Sequence, residues 1–253
     1  MSNNARRTTR KNKEESGLQK VTRKANNWHE SYGYHNFHLT DSQKELCNKI
    51  SSNTLTFVDS VAGTGKSTAV LYAFAKEYIQ DSSKQIIVIR TPVEAGGLDK
   101  IGFLPNELSQ KIEPHFASSK KILEQLLSKG KVETDMDHRI KFKIPNFELG
   151  ATWDNSLVLI DEAQQLQPMI MKLLLERIGV GTKVAVVGDA SQLYASEAAK
   201  RNGLSDAIKR FIDTEGNPKY PDIAFHKFDV EDVQRSEIVK TVIRAYNDPL
   251  TNN

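Results

Sequence analysis

The sequence predicts an α/β protein: a parallel sheet with helices on both faces. Continuous apolar runs at Thr54–Val58, Leu157–Ile160 and Lys183–Gly188 have the character of strands buried on both faces. These runs alternate with helical patterns, the order that produces strand–helix–strand crossovers and a parallel sheet. Between the first run and an Ala/Leu/Tyr-rich helical stretch, Ala69–Ile79, lies a tight, small-residue segment, Ser60–Thr68, reading SVAGTGKST.

In chain order the expected elements are a strand over 54–59, a helix over 65–79, a strand over 85–91 and helices over about 106–129. A region at 131–150 reads as irregular or as a hairpin, because Arg139–Ile144 (RIKFKI) alternates charged and apolar residues with the period of a half-solvated strand. Arg139, Lys141 and Lys143 would share its wet face, either as a contact for nucleic acid or as the lysine guard of an edge strand. The rest follows as strand 156–160, helix 168–178, strand 183–188, helix 204–213, strand 223–228 and helix 236–247. Of 253 residues, 28–253 are expected to form one domain with an insertion at about 106–153, and 1–27 a disordered basic tail.

Strand, small-residue loop and helix in that order form a phosphate cradle. The backbone N–H groups must wrap an anion closely, a lysine must reach the β/γ oxygens, and a hydroxyl must hold Mg²⁺. Gly63, Gly65, Lys66 and Ser67 meet those needs, with Ala62, Thr64 and Thr68 completing the loop. Ser60 stands where such loops usually open on glycine. An accidental Gly-Lys-Ser turn is the bland alternative.

The run Leu157–Ile160 ends in Asp161-Glu162-Ala163-Gln164. A carboxylate at the C-terminal end of a parallel strand faces the crevice where ligands of open α/β sheets bind. Asp161 is therefore the candidate Mg²⁺ ligand, and Glu162 the candidate general base for the water attacking a γ-phosphate. Both acids could instead cap the helix near Pro168. Asp189–Gln192 (DASQ) follows the third run, and the Gln192 amide is placed to sense a γ-phosphate; a turn on Gly188-Asp189 explains the same residues.

The set SVAGTGKST, LVLIDEAQQ and VVGDASQL resembles motifs I, II and III of superfamily 1 helicases. RTPVEAGGLDKIGFLPNEL resembles the segment that marks PhoH-like proteins, and DVQRSEIVKTVIRAYND resembles their ending. The resemblance runs from about Leu39 to Asp248. It implies a RecA-like P-loop NTPase core, ATP and Mg²⁺ as ligands, ATPase activity, and a link to single-stranded RNA or DNA. It also assigns Gln43, in LTDSQKE, to the adenine edge, and Arg235 to transition-state charge. Without the resemblance, Gln43 reads as an exposed glutamine at a helix start. Where the family often carries two arginines flanking a glycine before motif II, this chain has Glu148-Leu149-Gly150-Ala151-Thr152.

One domain leaves no room for the second RecA-like unit of a helicase, so Arg235 acts within its own subunit or reaches a neighbour's site. Family analogy implies a homo-oligomer, a ring of about six subunits. The rival reading is a nucleotide-gated scaffold with low turnover that recruits a protein or RNA partner; a P-loop small-molecule kinase lacks an evident arginine lid.

Charge is uneven. Residues 1–27 hold eight Lys or Arg against two Glu, a net of +6, so the remainder carries about −3 of the chain's +3. So polar a segment cannot bury enough surface to fold alone. It can add non-specific nucleic-acid affinity through counterion release, or act as a solubilising arm. No stretch approaches the roughly 18 apolar residues of a membrane span, and the single cysteine, Cys47, has no internal disulfide partner, so a cytoplasmic location is expected. Trp28–His38 (WHESYGYHNFH) lacks zinc-ligand spacing; its aromatics read as a cover for the pocket, a dock for the tail, or a base-stacking platform.

Overall fold

A computed structural model describes residues 33–91, 105–145, 148, 150–190 and 202–247. The basic tail and Gln192 lie outside the described residues. The elements are α1 (Asp41–Ser52), β1 (Leu55–Ser60), α2 (Lys66–Gln80), β2 (Gln85–Arg90), α3 (Pro105–Leu127), α4 (Lys129–Asp135) and β3 (Ile140–Lys143). They continue as β4 (Ser156–Asp161), α5 (Pro168–Leu175), β5 (Lys183–Gly188), α6 (Gly203–Phe211), β6 (Ile223–Phe228) and α7 (Glu237–Asn247).

The six strands form one sheet in the order β3-β2-β4-β5-β1-β6. Every pairing between them is parallel. Successive residues of each strand feed opposite faces, as the pleat requires. Val58, Ile86, Val88, Leu157, Leu159, Ala185 and Val187 pack under α1, α2, α3 and α4. Phe57, Ile87, Ile89, Val158, Ile160, Val184 and Val186 pack with Trp153 under α5 and α6. This is the RecA-like α/β architecture.

Parallel register aligns the strand ends that matter. Arg90 pairs with Asp161, and Asp59 with Gly188, so β1, β2, β4 and β5 deliver their last residues to one edge of the sheet.

Three local expectations change. Region 131–150 is not a hairpin: α4 occupies 129–135, and β3 is an edge strand parallel to β2. Arg139 is drawn under the fold, with Nε donating to the Lys84 carbonyl at 3.1 Å and the guanidinium 4.0 Å from the Tyr78 ring centre. Helix α5 stops at Leu175, because the following turn pairs Ile178 with Trp153.

Helix α1 lies ahead of the first strand, where the sequence offered a helix start at Gln43 but no span. A capping box starts it: Thr40 Oγ1 accepts from the Gln43 N–H at 3.2 Å, and Gln43 Oε1 accepts from the Thr40 N–H at 3.1 Å. From the aromatic segment, Phe37 packs on the core beside Tyr72, with ring centres 6.3 Å apart. Among the described residues no group of His, Cys, Asp and Glu has the makings of a metal cluster, and no helix is long and apolar enough to cross a membrane.

Candidate nucleotide site

β1 ends at Ser60 and α2 begins at Lys66, so the intervening loop must reverse direction and present its N–H groups to the space above the helix N-terminus. Gly63 and Gly65 make the reversal at φ +89° and +75°. Both are also pressed by neighbours. A Cβ on Gly63 would stand 3.0 Å from Arg235 Nε, and one on Gly65 would stand 2.5 Å from Gln43 Nε2. Ser60 needs no such freedom, being the buried last residue of a strand. Its hydroxyl donates to the Val61 carbonyl at 3.0 Å and forms a short hydrogen bond with Thr64 Oγ1. Serine thus replaces the usual glycine at no conformational cost and braces the loop from within. Ala62 is exposed at the loop's crest, while Thr64 is fully buried.

Lys66 Nζ donates to the carbonyls of Ser60 and Val61 at 3.1 and 3.2 Å, which holds the ammonium across the mouth of the loop. Ser67 Oγ donates to Asp161 Oδ1 at 3.2 Å. A hydroxyl and a carboxylate, both hard oxygen donors, meet here at a helix N-terminus, a donor set that fits Mg²⁺ bound with a nucleotide's phosphates. Thr68 follows in the first turn of α2. Burial, only partly offset by the Arg90 charge, raises the Asp161 carboxyl above its usual range; Glu162 adds to the rise, and Lys66 and the Glu162 N–H oppose it.

Glu162 leaves the strand with a left-handed backbone, φ +53°, which turns its side chain away from the strand's pleat. Both carboxylate oxygens are held. Arg90 Nη2 donates to Oε1 at 3.1 Å and Gln164 Nε2 donates to Oε2 at 2.8 Å. The Gln164 Oε1 in turn accepts from the Asp189 N–H at 3.2 Å, tying motif II to the start of DASQ. Asp59 Oδ1 accepts from the Ala190 N–H at 2.9 Å and fixes the same segment from β1.

Gln43 is buried rather than exposed, with its Nε2 donating to the Thr64 carbonyl at 2.9 Å. Its amide therefore grips the loop, leaving one N–H and one oxygen lone pair for any further partner. Arg235 is exposed and lies against Gly63 of its own chain, beside the bond from the Gln234 N–H to the Gly63 carbonyl at 2.9 Å. Lys66, Ser67, Asp161 and Glu162 thus meet at one sheet edge, with Gln43 and Arg235 flanking the loop. Arg90 and Gln164 escaped the sequence reading. Their signal was positional: a charged residue closing a buried strand, and a glutamine two residues past the candidate base, Glu162.

Fold and loop together define a P-loop nucleotide-binding protein. A model of the PhoH-like protein family matches residues 37–247, and the chain belongs to that family. It is 32% identical over 209 residues to a PhoH-like protein of Bacillus subtilis (strain 168), covering 82% of this chain and 63% of that one. It is 30% identical over 210 residues to Protein PhoH of Escherichia coli (strain K12), covering 82% and 57%. The chain therefore spans 57 to 63% of the length of these relatives. Among solved structures, Pif1 helicase from Candida albicans aligns at 13% identity and a TM-score of 0.37, covering 76% of this chain and 40% of that one. A Sulfolobus solfataricus SWI2/SNF2 ATPase core in complex with dsDNA aligns at 14% identity and a TM-score of 0.38, covering 78% and 47%. At those scores the fold assignment rests on this chain's own sheet.

Proposed function

We propose that the chain is an Mg²⁺-dependent ATPase whose turnover is coupled to single-stranded nucleic acid, RNA or DNA. The observation that carries the reading is the 3.2 Å bond between Ser67 Oγ and Asp161 Oδ1, which joins motif I to motif II beside Lys66 and Glu162. Ser67 and Asp161 would hold the magnesium ion, which when bound neutralises charge on the β- and γ-phosphate oxygens. Lys66 turns from the loop carbonyls to those oxygens. Glu162 accepts the proton of the attacking water as its oxygen bonds to the γ-phosphorus and the bond to the ADP oxygen breaks. Arg235, packed on its own Gly63, supports a role within its own subunit, steadying charge on the transferring group. Gln192 would sense the γ-phosphate, and the free N–H and lone pair of Gln43 the adenine edge.

Coupling to nucleic acid rests on the net +6 of residues 1–27. Assembly of several copies, up to a ring, would give a strand a channel that one core lacks. The test is phosphate release with and without a panel of single-stranded oligonucleotides, run beside a solution-mass determination. Lys66→Ala is expected to abolish turnover, while Glu162→Gln abolishes turnover and still binds ATP. ATP binding with no turnover and no response to any oligonucleotide would favour the scaffold reading instead.

A further inference from the structure

We propose that Arg90 and Gln164 are positioning residues: together they clamp the two carboxylate oxygens of Glu162 and aim the base at the attacking water, a role that rests on the ATPase reading above. A glutamate has three rotatable bonds, and the Glu162 side chain is 24% exposed, so packing alone does not fix its direction. The two bonds of 3.1 and 2.8 Å approach different oxygens, one from the end of β2 and one from the turn after β4, and define the plane of the carboxylate.

Both clamps are themselves braced. Arg90 sits in register with Asp161, its Nη1 lies 3.8 Å from Asp161 Oδ2, and Nη1 also donates to Ser118 Oγ of α3 at 3.4 Å. Gln164 is buried, with its carbonyl oxygen held by the Asp189 N–H. Gly188 keeps the space for that amide: a Cβ there would come 2.4 Å from Gln164 Oε1. Simple neutralisation of two neighbouring acids, one buried and one half-buried, would account for Arg90. It would not account for a neutral amide holding the other oxygen. The Arg90 Nε–H is buried without a partner among the described residues, so the guanidinium's position is not set by satisfying all its donors.

The clamp predicts a loss in kcat, not in nucleotide binding. The experiment measures steady-state ATP hydrolysis and titration with a fluorescent ATP analogue for the parent, Lys66→Ala, Arg90→Ala, Arg90→Lys and Gln164→Met, with folding followed by circular dichroism. Arg90→Ala and Gln164→Met are expected to lower kcat about tenfold or more, within the range of a misdirected general base, while KM and analogue affinity stay within about threefold. Arg90→Lys, which keeps the charge but not the planar fork, recovers part of the rate. Parental kcat in the folded variants, or a loss carried by KM, overturns the clamp. Should Arg90→Ala fail to fold, Gln164→Met, which changes no charge, decides by the same criteria. A parent no faster than Lys66→Ala overturns the ATPase reading itself, and the clamp with it.

Discussion

Gln43 and Gly65 occupy each other's space: the glutamine amide that donates to the Thr64 carbonyl at 2.9 Å lies where a side chain on Gly65 would begin, 2.5 Å from the Cβ position. Because Gly65 also holds φ +75°, alanine there meets a conformational penalty of about 1–2 kcal/mol together with a displaced amide. Gly65→Ala is expected to weaken binding of a fluorescent ATP analogue at least about tenfold, the equivalent of 1.4 kcal/mol. Gly130→Ala, at a position with nothing within 4 Å, leaves binding unchanged.

Removal of divalent cations tests the Ser67–Asp161 pair. EDTA should abolish hydrolysis and Mg²⁺ restore it, and Ser67→Ala should raise the Mg²⁺ concentration for half-maximal rate about tenfold by removing one oxygen ligand. Asp161→Asn is expected to be inactive yet no less stable. Burial raises the Asp161 carboxyl, so the ionised form works against folding at neutral pH. A fall in stability of more than about 1 kcal/mol on thermal melting would contradict that account.

His226 should make stability depend on pH just below neutrality. It is buried on β6, its Nε2 lies 3.2 Å from Ser42 Oγ and its Nδ1 3.4 Å from Lys49 Nζ. Burial first, then the Lys49 charge, lowers its pKa from the usual 6.5, against weaker opposing pulls from Glu45 and Asp232. Between the lowered value and 6.5 the unfolded chain binds a proton at this position and the folded chain does not, so stability rises with pH across that window and declines as pH falls below 6.5. Urea midpoints at pH 5.5 and 7.5 should differ in that sense, and His226→Gln should remove most of the difference.

Cys47 should be a slow thiol. It is half-buried, its Sγ donates to the Ala69 carbonyl at 3.4 Å, and burial pushes it up to about 11. At pH 8 roughly one molecule in a thousand carries the thiolate that alkylates. Iodoacetamide labelling of the native chain is expected to lag labelling in urea by about two orders of magnitude or more. Equal rates would place the thiol outside this packing.

Much of the site was legible because its signals are local. Gly63, Gly65, Lys66 and Ser67 occupy four positions of one loop, and the apolar runs that end at Asp161 and Gly188 declare their own burial. The strand spans lie within one or two residues of expectation for the same reason. What escaped depends on partners distant in sequence. Helix α1 turns a polar residue, Gln43, inward alongside Leu46 and Ile50, so its buried stripe lacks a continuous apolar signature, although Thr40 and Gln43 spell a capping box. RIKFKI announces a strand but not its partner, and only the pairing of Ile86 with Ile140 makes it a parallel edge. The bond from Arg90 to Glu162 spans 72 residues and has no local pattern at all. Next to the two positions where the family often carries arginines, Glu148 is buried and accepts from Trp153 Nε1 at 2.9 Å, a packing contact between 148 and 153 that no local pattern announces.

Gln43 and Gln234 grip adjacent points of the same loop, through the Thr64 carbonyl on one side and the Gly63 carbonyl on the other. Two stretches nearly two hundred positions apart are thereby stitched to a single hairpin-sized turn. Helix α7 begins two residues past Arg235 with Ile238 and Val242 exposed, so any displacement of that helix would reach the loop by the shortest route, without a signal having to cross the sheet.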